Sequence, residues 1–127
     1  LDFIGTNLDD TALTITFTSG NVSAIGGNFF VTDVADAFQA VSVTLTLSDA
    51  TTVTFTPTTL ADSYRGFTSG VTITSLTIAP PGAARYANLD NFTVGAAAVP
   101  EPAGALLMAL GGAALLWALR RRDRAHR

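Results

Sequence analysis

Along residues 11–18, TALTITFT, the side chains Leu13, Ile15 and Phe17 fall on one side of an extended chain, and Thr14, Thr16 and Thr18 fall on the other. Residues 41–48 repeat the pattern, with Val41, Val43, Leu45 and Leu47 opposite Ser42, Thr44, Thr46 and Ser48. Val53 and Phe55 then alternate with Thr52, Thr54 and Thr56. A period of two marks strands with one face buried and one wet, the pattern of antiparallel sheets. Three further strands are expected over residues 28–33, 71–79 and 86–94. In 71–79 the apolar parity changes between Ile73 and Leu76, which a bulge near Thr74-Ser75 would explain. Turn-forming residues separate these runs: Ser19-Gly20-Asn21, Gly26-Gly27, Ser48-Asp49-Ala50, Ser69-Gly70 and Pro80-Pro81-Gly82. Residues 33–40, DVADAFQA, read as a helical turn or a long loop. Phe29 and Phe30 are adjacent and must point to opposite faces of a strand, so one of them is exposed or lies under a loop.

Six or seven short strands within residues 1–98 predict an all-β fold, an antiparallel β-sandwich of jelly-roll-like kind. A full jelly roll wants about eight strands. The chain begins at Leu1, not Met. A leader segment, and with it a first strand or two, is expected to precede Leu1.

The pattern changes after residue 98. Residues 103–119, AGALLMALGGAALLWAL, carry no charge and are apolar on every side. As a helix this stretch rises about 25 Å at ~1.5 Å per residue, enough for a short span, since about 17 residues is the usual lower limit. A core helix would instead be amphipathic. Arg120, Arg121 and Arg122 follow at once and act as a stop-transfer, positive-inside signal. A transmembrane helix is therefore expected at 103–119, with a basic cytoplasmic tail at 120–127 and the body outside.

Charge sharpens this division. The whole chain has 7 basic and 10 acidic residues, and only 13% of residues are charged. Residues 1–119 hold nine of the acids but only Arg65 and Arg85 as bases; residues 120–127 hold five Arg and Asp123. A strongly acidic body is a poor partner for nucleic acid. The absence of Cys excludes disulfides and a thiolate nucleophile. The single His, His126, lies outside the body, so neither a His-based triad nor a His metal site is available there. No spaced acid/base pair stands out, and the chain is expected not to be an enzyme.

Between body and span sits Val99-Pro100-Glu101-Pro102. Each proline lacks a backbone donor and biases its predecessor to extended geometry. The result is a stiff, extended peptide of the kind a processing enzyme threads into its cleft. This motif, the Gly-Gly-containing apolar span and the terminal Arg cluster together resemble the PEP-CTERM sorting domain, over residues 99–127. The same tail also goes under the description "ice-binding protein C-terminal domain", which names the anchor and not an activity of the body. The resemblance implies a bacterial surface protein with two partners, membrane lipid and an exosortase, a membrane-embedded cysteine transpeptidase acting at or near the triplet. Val99, Pro100, Glu101 and Pro102 would be substrate residues. Such proteins are associated with extracellular polysaccharide and biofilm. A plain anchor without processing is the rival reading of the tail. Within the body, GGNFF (26–30), VSVTLTLSDATTVTFT (41–56), YRGFTS (64–69) and YANLDNFTVG (86–95) are similar to the exported sandwich domains that precede this tail, which resemble jelly-roll carbohydrate-binding modules in outline.

Three features of the body invite a ligand, and each has a plainer explanation. Asp90, with Asp2 approaching it, would suit a structural calcium, which wants six to eight oxygens; the plainer reading is a strand-edge Asp bonded to its own backbone, so no metal or other cofactor is otherwise expected. Tyr64 and Tyr86, with Arg65 and Phe67, would suit a sugar-stacking platform; the plainer reading is core and rim packing. The Thr-x-Thr rows lack the fixed repeat of a flat solenoid and read as a solvated sheet face. The expected function is structural or adhesive, in the envelope or polysaccharide matrix. The alternative is a carbohydrate-binding module displayed at the surface.

Overall fold

The computed structural model describes residues 2–96 and Arg120. The sorting motif (Val99, Pro100, Glu101, Pro102), the expected span at 103–119, and Arg121 and Arg122 lie outside the described residues. Arg120 is helical and exposed. Among the described residues no helix is long and apolar enough to cross a membrane.

Residues 2–96 form nine strands: β1 Ile4–Gly5, β2 Leu13–Thr16, β3 Val22–Thr32, β4 Phe38–Gln39, β5 Val43–Leu47, β6 Thr52–Phe55, β7 Tyr64–Thr68, β8 Ser75–Ala79 and β9 Tyr86–Ala96. A 3₁₀ turn, Ala61–Ser63, leads into β7. They make two antiparallel sheets, as a β-sandwich requires. The first runs β1-β9-β3-β4, with β7 also on β3; the second runs β2-β8-β5-β6. The pairings are nested, β1 with β9, β2 with β8, β3 with β7 and β5 with β6, so the chain closes on itself like one long folded hairpin.

The second sheet follows the alternation of its sequence. Val43, Leu45, Leu47, Leu76 and Ile78 are buried between the sheets, with Leu13, Ile15 and Phe55 packed against them. The opposite face carries threonines, among them Thr14, Thr46, Thr52 and Thr54, which are exposed. Burial of each large apolar side chain contributes about 1.5–3 kcal/mol, while the Thr face suits a pleated, wet surface.

The first sheet departs from that simple scheme. Gly26 and Gly27 do not turn the chain; they lie inside β3, which runs eleven residues and is mostly buried on both faces. Ile25, Phe29 and Val31 point into the inter-sheet core. Gly27 shares that inward face: a Cβ there would stand 3.0 Å from Leu89 Cδ1 and 3.2 Å from the Asp90 carbonyl oxygen. The close approach sits at a bulge, because Gly26 pairs with Thr93 but Asn28 pairs with Asp90. The extra residue on β9 is accommodated by Asn91, in the left-handed region at φ 50°, where Asn is better tolerated than most residues. The bulge also resets parity. Leu89 and Phe92 both reach the core, where Phe92 stacks on Phe17 at 6.0 Å, and Asp90 is turned the other way.

Phe29 and Phe30 do face opposite sides, and both are fully buried. Phe30 is covered from outside the sandwich by Phe3, edge-on at 5.4 Å, and by Phe38 of β4 at 6.4 Å. Next to it, Asn88 donates to Thr32 Oγ1 at 2.8 Å and to the Tyr86 carbonyl at 2.9 Å. On the other side, Asn28 donates to the Leu60 carbonyl and to Ser63 Oγ. The segment before β7 thus roofs the sheet, and the outward face of β3 is a second, thinner buried layer. Polar groups in it are hydrogen-bonded, as burial demands.

Two other expectations change. The segment 71–74 is not strand: it crosses from β7 of the first sheet to β8 of the second, and Ile73 is buried on the way while its N–H bonds to the Val22 carbonyl at 2.8 Å. That crossing, not a bulge, breaks the parity. Residues 33–40 form neither helical turn nor long loop but a tight hairpin between β3 and β4, in which Asp33 Oδ1 accepts the N–H groups of Ala35 and Ala37 at 2.9 and 3.0 Å.

Two surface carboxylates tie loops down. Asp62 is held below its ordinary pKa by the Thr58 backbone N–H, with the Thr58 hydroxyl and the Arg65 charge helping and slight desolvation opposing. Asp49 is lowered by hydrogen bonds from the hydroxyl and backbone N–H of Thr51 and from the side chain of Ser69. A lowered folded pKa means stabilisation that is fully present above the unfolded value, about 3.9 for Asp. It is lost as pH falls through the folded value. Thermal melts should therefore show the contribution of these two groups as level from pH 8 to 5 and falling below about pH 4. In an Asp49→Asn, Asp62→Asn double variant the acid-side fall should be shallower; an identical acid limb would contradict the assignment.

Candidate functional site

Where β1 leaves the sheet, an open cavity of about 410 Å³ forms against β9 and the β3–β4 hairpin. It exists because β1 is only two residues long. Ile4 and Gly5 pair with Leu89 and Asn88, and after Thr6, whose N–H still bonds the Ala87 carbonyl at 3.2 Å, the chain departs towards β2. The hairpin closes the other wall. Its three-residue tip, Val34-Ala35-Asp36, lies between Asp33 and Ala37, which are joined by the Asp33 N–H to Ala37 carbonyl bond. Asp36 is the tip residue with φ 60°, as three-residue hairpin loops require at that place.

The lining is mostly polar. Phe3 and the half-buried Tyr86 supply rings, Asn7 and Asn88 supply amides, and Asp33 and Asp36 supply carboxylates. Asp33 is committed to the hairpin, since its Oδ2 also accepts from Gln39 Nε2 at 3.3 Å. Gln39 in turn receives Arg85 Nη1 on Oε1 at 3.0 Å, which steadies the pair from outside the cavity. Asp36 is exposed. No Arg or His is among the residues lining the cavity. Thr6 is in its wall, and Thr6 Oγ1 is the one side-chain atom among the described residues that is buried with no hydrogen-bond partner. Such a hydroxyl costs roughly 1–3 kcal/mol. The arrangement is one that accepts and orients hydroxyl-bearing ligands: acceptor oxygens, amides with both functions, and an aromatic side wall.

The residues singled out from the sequence are not gathered together. Tyr86 lies in this cavity. Tyr64 is on the far side of β3, 51% exposed, with its hydroxyl over Gly26, where a Cβ would stand 2.5 Å away. Arg65 turns inward at the sandwich edge and lies over the Phe55 ring at 4.1 Å, while Phe67 packs against the core. Asp90 accepts the N–H of Asn91 on Oδ1 at 2.8 Å and shares with Asp2 a smaller groove of about 250 Å³. Among the described residues no group of three or more His, Cys, Asp or Glu comes together.

The threonines align across the second sheet. Thr14 pairs with Thr77, Thr77 with Thr46, and Thr46 with Thr52, one lateral row over all four strands. Hydroxyls in and beside it bond one another, Thr14 to Thr77 at 3.3 Å and Thr44 to Thr54 at 2.8 Å. Such pairs are ordinary cross-strand stabilisation.

Thr6, Asn7, Asp33, Asp36 and Asn88 were not legible as a group. Their one signal is Asp33, whose position before Val34-Ala35 fits an Asp that folds back on its own backbone. No family model, curated protein or solved structure matches this chain.

Proposed function

We propose that this chain is an exported bacterial surface protein, sorted or anchored through a PEP-CTERM-like tail, with a structural or adhesive role in the envelope or polysaccharide matrix. The observation that carries the reading is the order of three signals at the C-terminus: Val99-Pro100-Glu101-Pro102, seventeen uncharged residues, then Arg120-Arg121-Arg122. The body is read as a jelly roll. Support for that finer assignment comes from the strand orders β1-β9-β3-β7 and β2-β8-β5-β6, the result of rolling one long hairpin into two sheets. The β4 hairpin is then an addition to the eight. The tail would cross the membrane at 103–119 with its Arg cluster in the cytoplasm, leaving the sandwich outside.

Intact-mass spectrometry of the mature protein tests this reading. A C-terminus within or next to residues 100–102 supports sorting by an exosortase. A membrane-bound product retaining all five terminal arginines supports a plain anchor instead, and a full-length product recovered in the cytosol would sink both.

A second reading, a displayed carbohydrate-binding module, is favoured by a separate observation, the polar cavity beside Tyr86. Tyr64, on a different part of the first sheet, is not needed for it.

A further inference from the structure

We infer that the cavity between the β1 exit and the β3–β4 hairpin is a saccharide subsite selective for sugars without carboxylate or sulfate groups. This rests on the carbohydrate-binding reading and gives it a place and a ligand class. Three independent features converge there.

The first is shape. A cavity of about 410 Å³ falls in the range of small-molecule sites, ~300–1,000 Å³. It is walled by a β-strand, a short hairpin stapled by Asp33 and a departing chain, so its sides are held in place by hydrogen bonds.

The second is sign. Two carboxylates and no cationic side chain line it. Asp33 is already taken up by two backbone N–H groups and Gln39, whereas Asp36 at the tip makes no such bonds in the hairpin beyond its own N–H to the Asp33 carbonyl at 3.1 Å. A carboxylate accepts and never donates when ionised. Its natural partner is a pair of ligand hydroxyls or an ammonium, and an anionic sugar would meet repulsion. Neutral hexoses and amino sugars therefore fit; uronic acids and sulfated sugars do not.

The third is the pair of aromatic walls. Tyr86 and Phe3 offer apolar ring surface for the sugar's C–H face, and Asn88 is fixed by Thr32 and the Tyr86 carbonyl so that its Oδ1 stays beside Gly5.

Two variants test this without disturbing the fold. Asp36→Asn keeps the left-handed backbone, which Asn tolerates, and removes the charge. Asn7→Ala removes an exposed amide from the cavity wall. Titration of the full chain in detergent, with chelator present, is carried out by calorimetry against soluble neutral glucan, deacetylated chitooligosaccharide and polyuronate. Expected is binding of one of the first two, no binding of polyuronate, and a loss of about tenfold in affinity for each variant. If a glycan binds equally well to parent, Asp36→Asn and Asn7→Ala, the subsite is elsewhere and this inference fails while the carbohydrate-binding reading survives. If none of the three binds, both fail. Preferential binding of polyuronate overturns the selectivity.

Discussion

Phe30→Ala is expected to destabilise the body as severely as Phe29→Ala, by roughly 3–5 kcal/mol. The two positions look unequal in a simple sandwich. Phe29 belongs to the core between the sheets, while Phe30 points out of it. An outward residue on a solvated sheet face would cost little on truncation. Here, however, Phe30 is as fully buried as Phe29, enclosed by Phe3 and Phe38. Removing it empties a space that the β1 segment and the β3–β4 hairpin were closing, and both would lose their packing. Since whole domains have only about 5–15 kcal/mol of stability, either variant should come close to unfolding. Urea titration followed by near-ultraviolet circular dichroism measures this directly. A Phe30→Ala cost below about 1 kcal/mol, alongside a normal cost for Phe29→Ala, would show that Phe3 and Phe38 do not close over the ring. Val34→Ala serves as the control, because Val34 is 83% exposed and its loss should be near zero.

The largest expected functional effect lies at the other end of the chain. Under the proposed sorting reading, Glu101→Ala and Pro100→Ala should each abolish C-terminal processing, not merely slow it. A protease-like cleft binds its substrate as an extended strand, and recognition rests on a few side chains. Pro100 and Pro102 pre-set that geometry, and Glu101 is the only charge between residue 91 and Arg120. Losing it removes the one strongly polar handle in a long apolar region. Immunoblots of cell fractions, with intact masses, should show the variants as full-length chains in the membrane and the parent as a shorter product outside. Equal processing of parent and variants would mean that the Pro-Glu-Pro triplet is a linker and nothing more. Both positions lie beyond the last strand of the sandwich in sequence, so melting of the body should be unchanged in both.

The legibility of the fold varied with how each strand is covered. β2, β5 and β6 stood out because one of their faces is Thr-lined and open to water, which keeps the period of two intact. β3 was half missed. Its second face is roofed by Phe3, Phe38 and the segment before β7, so Ala24 to Thr32 are mostly buried irrespective of parity, and Gly26-Gly27 resembles a turn when it serves a bulge. β7 escaped notice because an arginine occupies an inward position. Arg65 can do so only by lying over Phe55, a contact made across the sandwich and invisible in one dimension. The candidate cavity was less legible still. It is assembled from the β1 exit, the β3–β4 tip and the start of β9, and none of its residue types is rare. Tyr86 was picked out for its ring, yet its neighbours Thr6 and Asp36 depend on the pairing of strands from opposite ends of the body.

The nested pairing also dictates when the body can finish folding. β9 is the last of the nine described strands in chain order, yet it occupies the interior of the first sheet, joined to β3 at nine paired positions. Until it arrives, β3 presents Ile25, Phe29 and Val31 beside an unfilled edge, the kind of surface that aggregates. The central β5–β6 hairpin closes early because its ends are near in sequence, whereas the β1–β9 contact closes the longest loop and comes last. A sandwich of this design therefore stays unfinished until β9 is in place.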